Sequence, residues 1–150
     1  MIAFREARAE DVAAVVALLS DDFLGRAREV GSTAEYQAAF AQMQAEGTNH
    51  LVVGELGGRI VATYQITFIS GLSLMATRRA QVESVRVGAD LRGQGVGAAL
   101  FADAEKRARA AGCSLMQLTS NKNRSEAQRF YERLGFEPSH VGYKKKLTSV

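Results

Sequence analysis

With 150 residues, 47% of them hydrophobic, and a single proline, the chain suits one packed domain over residues 1–150 and is too apolar for a disordered tract or linker. A net charge of +3 is mild, and the runs Arg78-Arg79 and Lys144-Lys145-Lys146 read as solvated surface, so no nucleic-acid partner is expected. The one cysteine, Cys113, excludes an internal disulfide, and two histidines without paired spacing predict no metal site.

Ile2 to Ala7 reads as a first strand, and its charges Arg5 and Glu6 fall where a signal peptide needs an apolar core. Glu10 and Asp11 then precede Val12, Val15, Val16 and Leu19, the spacing of an amphipathic helix whose opening acids suit the helix dipole. Asp22 to Gly31 reads as a loop. Ser32-Thr33-Ala34-Glu35 is a capping box that predicts a second helix from Thr33 to Glu46, with Tyr36, Phe40 and Met43 on one face.

His50 to Leu56 and Ile60 to Ile69 read as a hairpin closed by Gly57-Gly58, followed by a loop or strand extension over Ser70 to Thr77. Ala80 to Gly88 is a further strand, Gly95 to Ala111 a helix, and Cys113 to Thr119 a strand. A second capping box, Asn123-Arg124-Ser125-Glu126, predicts a helix with Ala127, Phe130, Tyr131 and Leu134 on one face, ending at Gly135. Phe136 to Leu147 completes the chain with one or two strands. The order β-α-α-β-β-β-α-β-α-β predicts an α/β fold: a mixed central sheet, part antiparallel and part parallel, with helices on both faces. No apolar run approaches the ~20 residues that span a bilayer, so a soluble cytoplasmic protein without membrane contact is expected.

The segment Arg92-Gly93-Gln94-Gly95-Val96-Gly97-Ala98 lies between a predicted strand and a predicted helix. Glycines let the backbone turn its N–H groups inward, and a helix N-terminus adds unpaired donors and the positive end of a dipole, which together seat a phosphate. A Walker loop fails because Gly97 is followed by Ala98-Ala99 in place of Lys-Ser/Thr. A dinucleotide fingerprint is met formally by Gly93, Gly95 and Ala98, but the acid due about 20 positions on is missing from Leu115-Met116-Gln117-Leu118.

What remains is Arg92-x-x-Gly95-x-Gly97, and here the whole chain resembles the GNAT superfamily of N-acetyltransferases. The resemblance is carried by Glu83-Ser84-Val85-Arg86-Val87, by the glycine segment, by Leu118-Thr119-Ser120-Asn121, and by Ala127 to Phe136 with its Phe130-Tyr131-x-x-x-Gly135-Phe136 ending. It implies acetyl-coenzyme A as co-substrate, its pyrophosphate held by Arg92 to Ala98, its pantetheine arm by the backbones of Val85, Arg86 and Val87, and further contacts at Asn123 and Ser125. It implies Glu83 as the base that deprotonates the amine, often through water, and Tyr131 as the acid that protonates the departing thiolate.

The residues carry plainer readings beside these. Glu83 shares a face with Val85 and Val87 by strand alternation, where a carboxylate is costly unless used or paired, and a salt bridge to Arg86 or Arg78 is the alternative. Tyr131 also reads as a core tyrosine, and Asn123 as a helix cap. Cys113, in an apolar run, reads as a structural thiol. The resemblance places the acceptor around Asp21 to Met43 and Ser70 to Arg79, so Phe23, Tyr36 and Met75 are candidate substrate contacts. The second half looks most similar to small-molecule acetyltransferases of the aminoalkylphosphonate type. A protein lysine or N-terminal acetyltransferase, and a non-catalytic acyl-coenzyme A sensor, are the alternatives. Homodimers are common among such proteins, and exposed strand edges offer a surface.

Overall fold

A computed structural model describes residues 1–21, 29 and 31–148. These fall into two compact units, Met1–Gln117 and Leu118–Val150. The first unit holds β1 (Ala3–Glu6), a 3-10 turn (Ala9–Asp11), α1 (Val12–Leu19), α2 (Thr33–Glu46), β2 (Asn49–Leu56), β3 (Arg59–Ile69), β4 (Arg79–Val87), a second 3-10 turn (Ala89–Leu91), α3 (Val96–Ala110) and β5 (Leu115–Gln117). The sheet order is β1-β2-β3-β4-β5, antiparallel through β4 and parallel between β4 and β5.

Alternation along β3 sorts the two faces. Tyr64 turns one way and its hydroxyl donates to Asp103 Oδ2 on α3 at 2.6 Å. Val52, Ile66, Val82, Leu100 and Ala104 are buried on that side. Thr63 and Val53 turn the other way, and Val53 clusters with Ala7, just after β1, and with Val12, Val15 and Phe40 from α1 and α2. Helices therefore cover both faces of this unit, as the sequence predicts. Asp11 does more than meet a dipole: it is buried, takes Arg5 through both oxygens (2.7 and 3.1 Å), and accepts the Arg8 N–H at 2.8 Å.

The Ser32/Glu35 capping box forms in both directions, and the Gly57-Gly58 turn takes positive φ at both residues. The predicted loop Ser70 to Thr77 contains a turn at Ser73–Ala76 in which Leu74, Met75 and Ala76 adopt left-handed φ of 55°, 58° and 60°. Strand β5 keeps only three of its predicted residues.

The second unit contains α4 (Ser125–Arg133). The predicted cap on Asn123 is not formed. The N-cap is Arg124, with no side-chain bond; instead Asn121 Oδ1 accepts the Asn123 N–H at 2.9 Å, an Asx turn that delays the helix. The predicted C-terminal strand is also absent among the described residues. Val141, Tyr143 and Leu147, which alternation would place on one face of an extended segment, stand exposed.

Candidate functional site

In β4 the alternation of side chains breaks. Gln65 pairs with Glu83 but Thr63 pairs with Arg86, so three steps along β4 match two along β3. The extra residue is a bulge, and Ser84 within it has φ 54°, a left-handed conformation for a residue with a side chain. The consequence corrects the sequence expectation. Glu83 shares a face with Arg86, on the α1/α2 side, and not with Val85 and Val87, because the bulge shifts the phase between them. The break was readable: small and apolar positions run Ala80, Val82, then Val85, Val87, changing from even to odd.

Glu83 is exposed, and it makes no hydrogen bond or ion pair among the described residues. The burial cost invoked from sequence does not arise, and the salt bridge to Arg78 or Arg86 is not formed. Arg86 places Nη1 on the Val85 carbonyl oxygen at 2.9 Å. Pairing between β4 and β5 stops at Gln81/Gln117, where the two side-chain amides bond at 2.7 Å, so β4 from Val82 onward has no β5 residue beside it.

Beyond β4 the chain turns through Ala89–Leu91 into Arg92-Gly93-Gln94-Gly95. Gly93 and Gly95 have φ of 77° and 82°, and a Cβ at either would meet nothing within 4 Å. Glycine is required here for its backbone angle, not for space. Gly95 is the N-cap of α3 and supplies no side-chain acceptor, which leaves the first-turn N–H groups to be met from outside the helix. The loop is exposed, and Val96 anchors it to the core. Two contacts fix its shape: Arg92 Nε donates to Val87 O at 3.3 Å, and Gln94 Nε2 to Asp90 O at 3.0 Å. Arg92 also lies 4.0 Å from Asp21 at the end of α1. An open N-terminus of a 15-residue helix beside a cation can receive an anion.

On the α1/α2 face, an open cleft of about 110 Å³ runs between α1, α2 and the sheet. Val16, Leu19, Tyr36, Met43 and Leu51 line it, and at the sheet it reaches Gln65 and Ser84. Tyr36, a candidate substrate contact from sequence, lines the same cleft as Ser84 of the bulge. Its hydroxyl donates to Glu29 Oε2 at 3.0 Å and accepts the Gly31 N–H at 3.3 Å, and burial heads the causes that push its phenol pKa up. Gln65 and Ser84 have no counterpart in the sequence expectation. Met75 is almost fully exposed on the left-handed turn and does not line the cleft, and Phe23 lies outside the described residues. Cys113 is partly buried, with its thiol pKa pushed up by burial against a smaller opposing influence of Arg78.

Within the second unit, Tyr131 is half-buried on α4. Its ring lies 5.6 Å from Phe130 and meets Phe136 edge-on at 6.1 Å. The Phe136 N–H returns to the Tyr131 carbonyl oxygen at 3.0 Å, so the Phe130-Tyr131-x-x-x-Gly135-Phe136 segment closes on itself. Asn123 and Ser125 are exposed, and Gln128 Nε2 ties the loop before them by donating to Asn121 O and Lys122 O. The described residues hold no cluster of three or more His, Cys, Asp or Glu suited to a metal ion, and no helix long and apolar enough to cross a membrane.

Residues 12–136 match the model of the acetyltransferase (GNAT) family. An aminoalkylphosphonate N-acetyltransferase from Salmonella typhimurium is 40% identical over 67 residues, which is 45% of this chain and 44% of that protein, so the match spans less than half of its length. A solved structure from Bacillus halodurans C-125, described as a transcriptional regulator, is 40% identical with a TM-score of 0.93, covering 98% of this chain and all of its own. A predicted acetyltransferase from Clostridium acetobutylicum, solved with acetyl-CoA, shares the fold at 18% identity and a TM-score of 0.77, covering 98% of this chain and 97% of its own.

Proposed function

The chain belongs to the acetyltransferase (GNAT) family, and on that premise we propose that it transfers an acetyl group from acetyl-coenzyme A to a primary amine of a small molecule by direct attack in a ternary complex. The observation that carries this reading is the run from bulged β4 into the uncapped start of α3. One continuous segment offers a carboxylate at Glu83 with no partner among the described residues, an interrupted ladder at Ser84 and Val85, and open N–H donors from Gly95 onward.

The amine nitrogen attacks the thioester carbonyl carbon, the C–N bond forms, and the C–S bond breaks. Glu83, directly or through water, receives the proton that the amine sheds. The Val85 N–H, in the bulge, is the donor assigned to the carbonyl oxygen as it gains charge. Tyr131 gives its phenolic proton to the departing thiolate. Arg92 and the N–H groups from Gly93 to Ala98 hold the pyrophosphate, with Arg86 and Val87 along the pantetheine arm and Asn123 and Ser125 as further contacts. No acyl-enzyme is invoked, since the raised thiol pKa of Cys113 leaves little thiolate at neutral pH.

The family match spans both compact units, which supports residues 1–150 acting as one acetyltransferase domain. The sheet order leaves β1 and β5 at the edges, which supports pairing of two copies. A cytoplasmic location is part of the same reading. The test is an amine panel with thiol release as readout: turnover with at least one small amine is expected, and none across the panel would overturn the proposal.

A second reading, a non-catalytic acyl-coenzyme A sensor, draws on the 40%-identical neighbour described as a transcriptional regulator. It keeps the glycine loop and needs neither Glu83 nor Tyr131, so turnover in that panel excludes it. A peptide acceptor, at a lysine or an N-terminus, would show as turnover on peptides exceeding that on every small amine.

A further inference from the structure

We propose that the acceptor is a primary amine carried on a short apolar chain, with the chain in the cleft between α1 and α2 and the nitrogen at the β4 bulge. This names the substrate class for the acetyl-transfer reading above and rests on it. The cleft is apolar along its length and polar at one end. Val16, Leu19, Met43 and Leu51 supply hydrocarbon. Two other polar groups that border it are already engaged: Thr63 Oγ1 donates to Val52 O at 2.9 Å, and the Tyr36 hydroxyl is held by Glu29 and Gly31. The side chains of Gln65 and Ser84 make no hydrogen bond among the described residues, and both lie where the cleft meets the sheet.

Charge completes the assignment. Glu83 faces Gln65 across the ladder and adjoins Ser84, and its carboxylate has no hydrogen-bond or ion-pair partner among the described residues. Side chains directly opposite on adjacent strands lie within about 5 Å of each other. An ammonium suits that end and hydrocarbon suits the rest. The described lining includes no lysine, arginine or histidine to meet a phosphonate or carboxylate. The described arginines of β4 and of the connection before it are engaged: Arg86, on the Glu83 face, donates to Val85 O, Arg78 to Ala111 O and Ser70 Oγ, and Arg79 to Ser73 Oγ. This chemistry departs from the substrate for which the Salmonella relative is named. The volume of about 110 Å³ is below the ~150 Å³ that holds a benzene ring. A linear chain of about four carbons fits it better than an aromatic group.

The experiment compares methylamine, ethylamine, propylamine, butylamine, hexylamine and aminomethylphosphonate. The readouts are kcat/KM from thiol release and amine binding by calorimetry with coenzyme A present. Both are expected to improve about fourfold per methylene up to butylamine, the worth of burying one CH₂, and then flatten. Aminomethylphosphonate is expected to fall below ethylamine. Val16→Phe, which fills the cleft, is expected to abolish the gain from methylamine to butylamine. Should that variant fail to fold, Ala39→Leu, at an exposed lining position, tests the same wall. Amide formation with no chain-length dependence, or a preference for the phosphonate, overturns the proposal while leaving acetyl transfer standing. Coenzyme A binding with no amide from any amine overturns acetyl transfer, and the calorimetric trend then decides the cleft by itself.

Discussion

Glu83 and Arg86 project from the same face of β4 although three residues separate them, because the extra residue of the bulge is absorbed between them. A regular strand would have set them on opposite faces. Glu83 keeps regular alternation with Val82, and the bulge after it brings Arg86 back to the α1/α2 side while Val82 and Val87 face α3.

The left-handed backbone at Ser84 makes the bulge sensitive to side-chain branching. Ser84→Gly is expected to stabilise the fold by about 0.5 kcal/mol, and Ser84→Val to destabilise it by about 1–2 kcal/mol. Chemical denaturation reads both. Equal stability of the two variants would contradict the φ of 54°.

If Glu83 is the base, Glu83→Gln lowers kcat by about 10²–10⁴-fold and alters the pH–rate profile, with coenzyme A affinity retained. An unaltered profile dismisses Glu83 from proton transfer.

Tyr131→Phe is expected to lower turnover by a similar factor and coenzyme A affinity far less. Its ring contacts with Phe130 and Phe136 survive the loss of the hydroxyl, so stability is a poor predictor of the effect. Unchanged turnover removes Tyr131 from the mechanism.

At the glycine loop the backbone and the side chain can be tested apart. Gly95→Ala forces a Cβ into φ 82° and is expected to weaken acetyl-coenzyme A binding at every ionic strength. Arg92→Ala removes a charge-assisted contact worth about tenfold, and that loss is expected to shrink in high salt. Equal salt dependence in the two variants would contradict this division.

Two buried polar pairs set the pH limits of the fold. Asp11 is held below its ordinary value of 3.8 by the Arg5 hydrogen bonds first, opposed by burial and aided by the Arg8 N–H. A depressed carboxyl stabilises the folded state above its unfolded value, and that contribution disappears as pH falls through the folded one. Between pH 5 and about 2 the wild type should therefore lose stability more steeply than Asp11→Asn. Tyr64 behaves in the opposite sense: burial first, then Asp103, pushes its phenol well above 10.0. That contribution is intact below pH 10 and fades as pH rises, at up to about 1.4 kcal/mol per pH unit, and Tyr64→Phe should flatten the alkaline limb. Denaturant midpoints across pH provide the readout for both.

Where local chemistry decides the structure, the sequence was readable. Ser32 and Glu35 satisfy each other within one turn, and Gly57-Gly58 accepts the positive φ that a two-residue hairpin demands. Elsewhere a competing local bond or a missing partner decided. Asn121 took the Asn123 N–H and displaced the expected cap, and Val141, Tyr143 and Leu147, though they alternate onto one side of the tail, stand exposed. Of the site, the glycine loop was legible because backbone angles constrain residue type. The cleft was not, since Val16, Met43 and Gln65 come together only through the packing of separate elements. The orientation of Glu83 lay between these cases: its signal was present in the shift from Val82 to Val85, but simple alternation hid it.

The glycine loop recognises through main-chain amides, whereas the cleft between α1 and α2 is walled by side chains. Main-chain donors persist through most substitutions; side-chain walls change with every codon. Duplicated copies of such a gene can therefore drift toward new acceptors while the donor end stays constant. A directed-evolution library confined to positions 16, 19, 39 and 43 would explore that drift without disturbing the sheet.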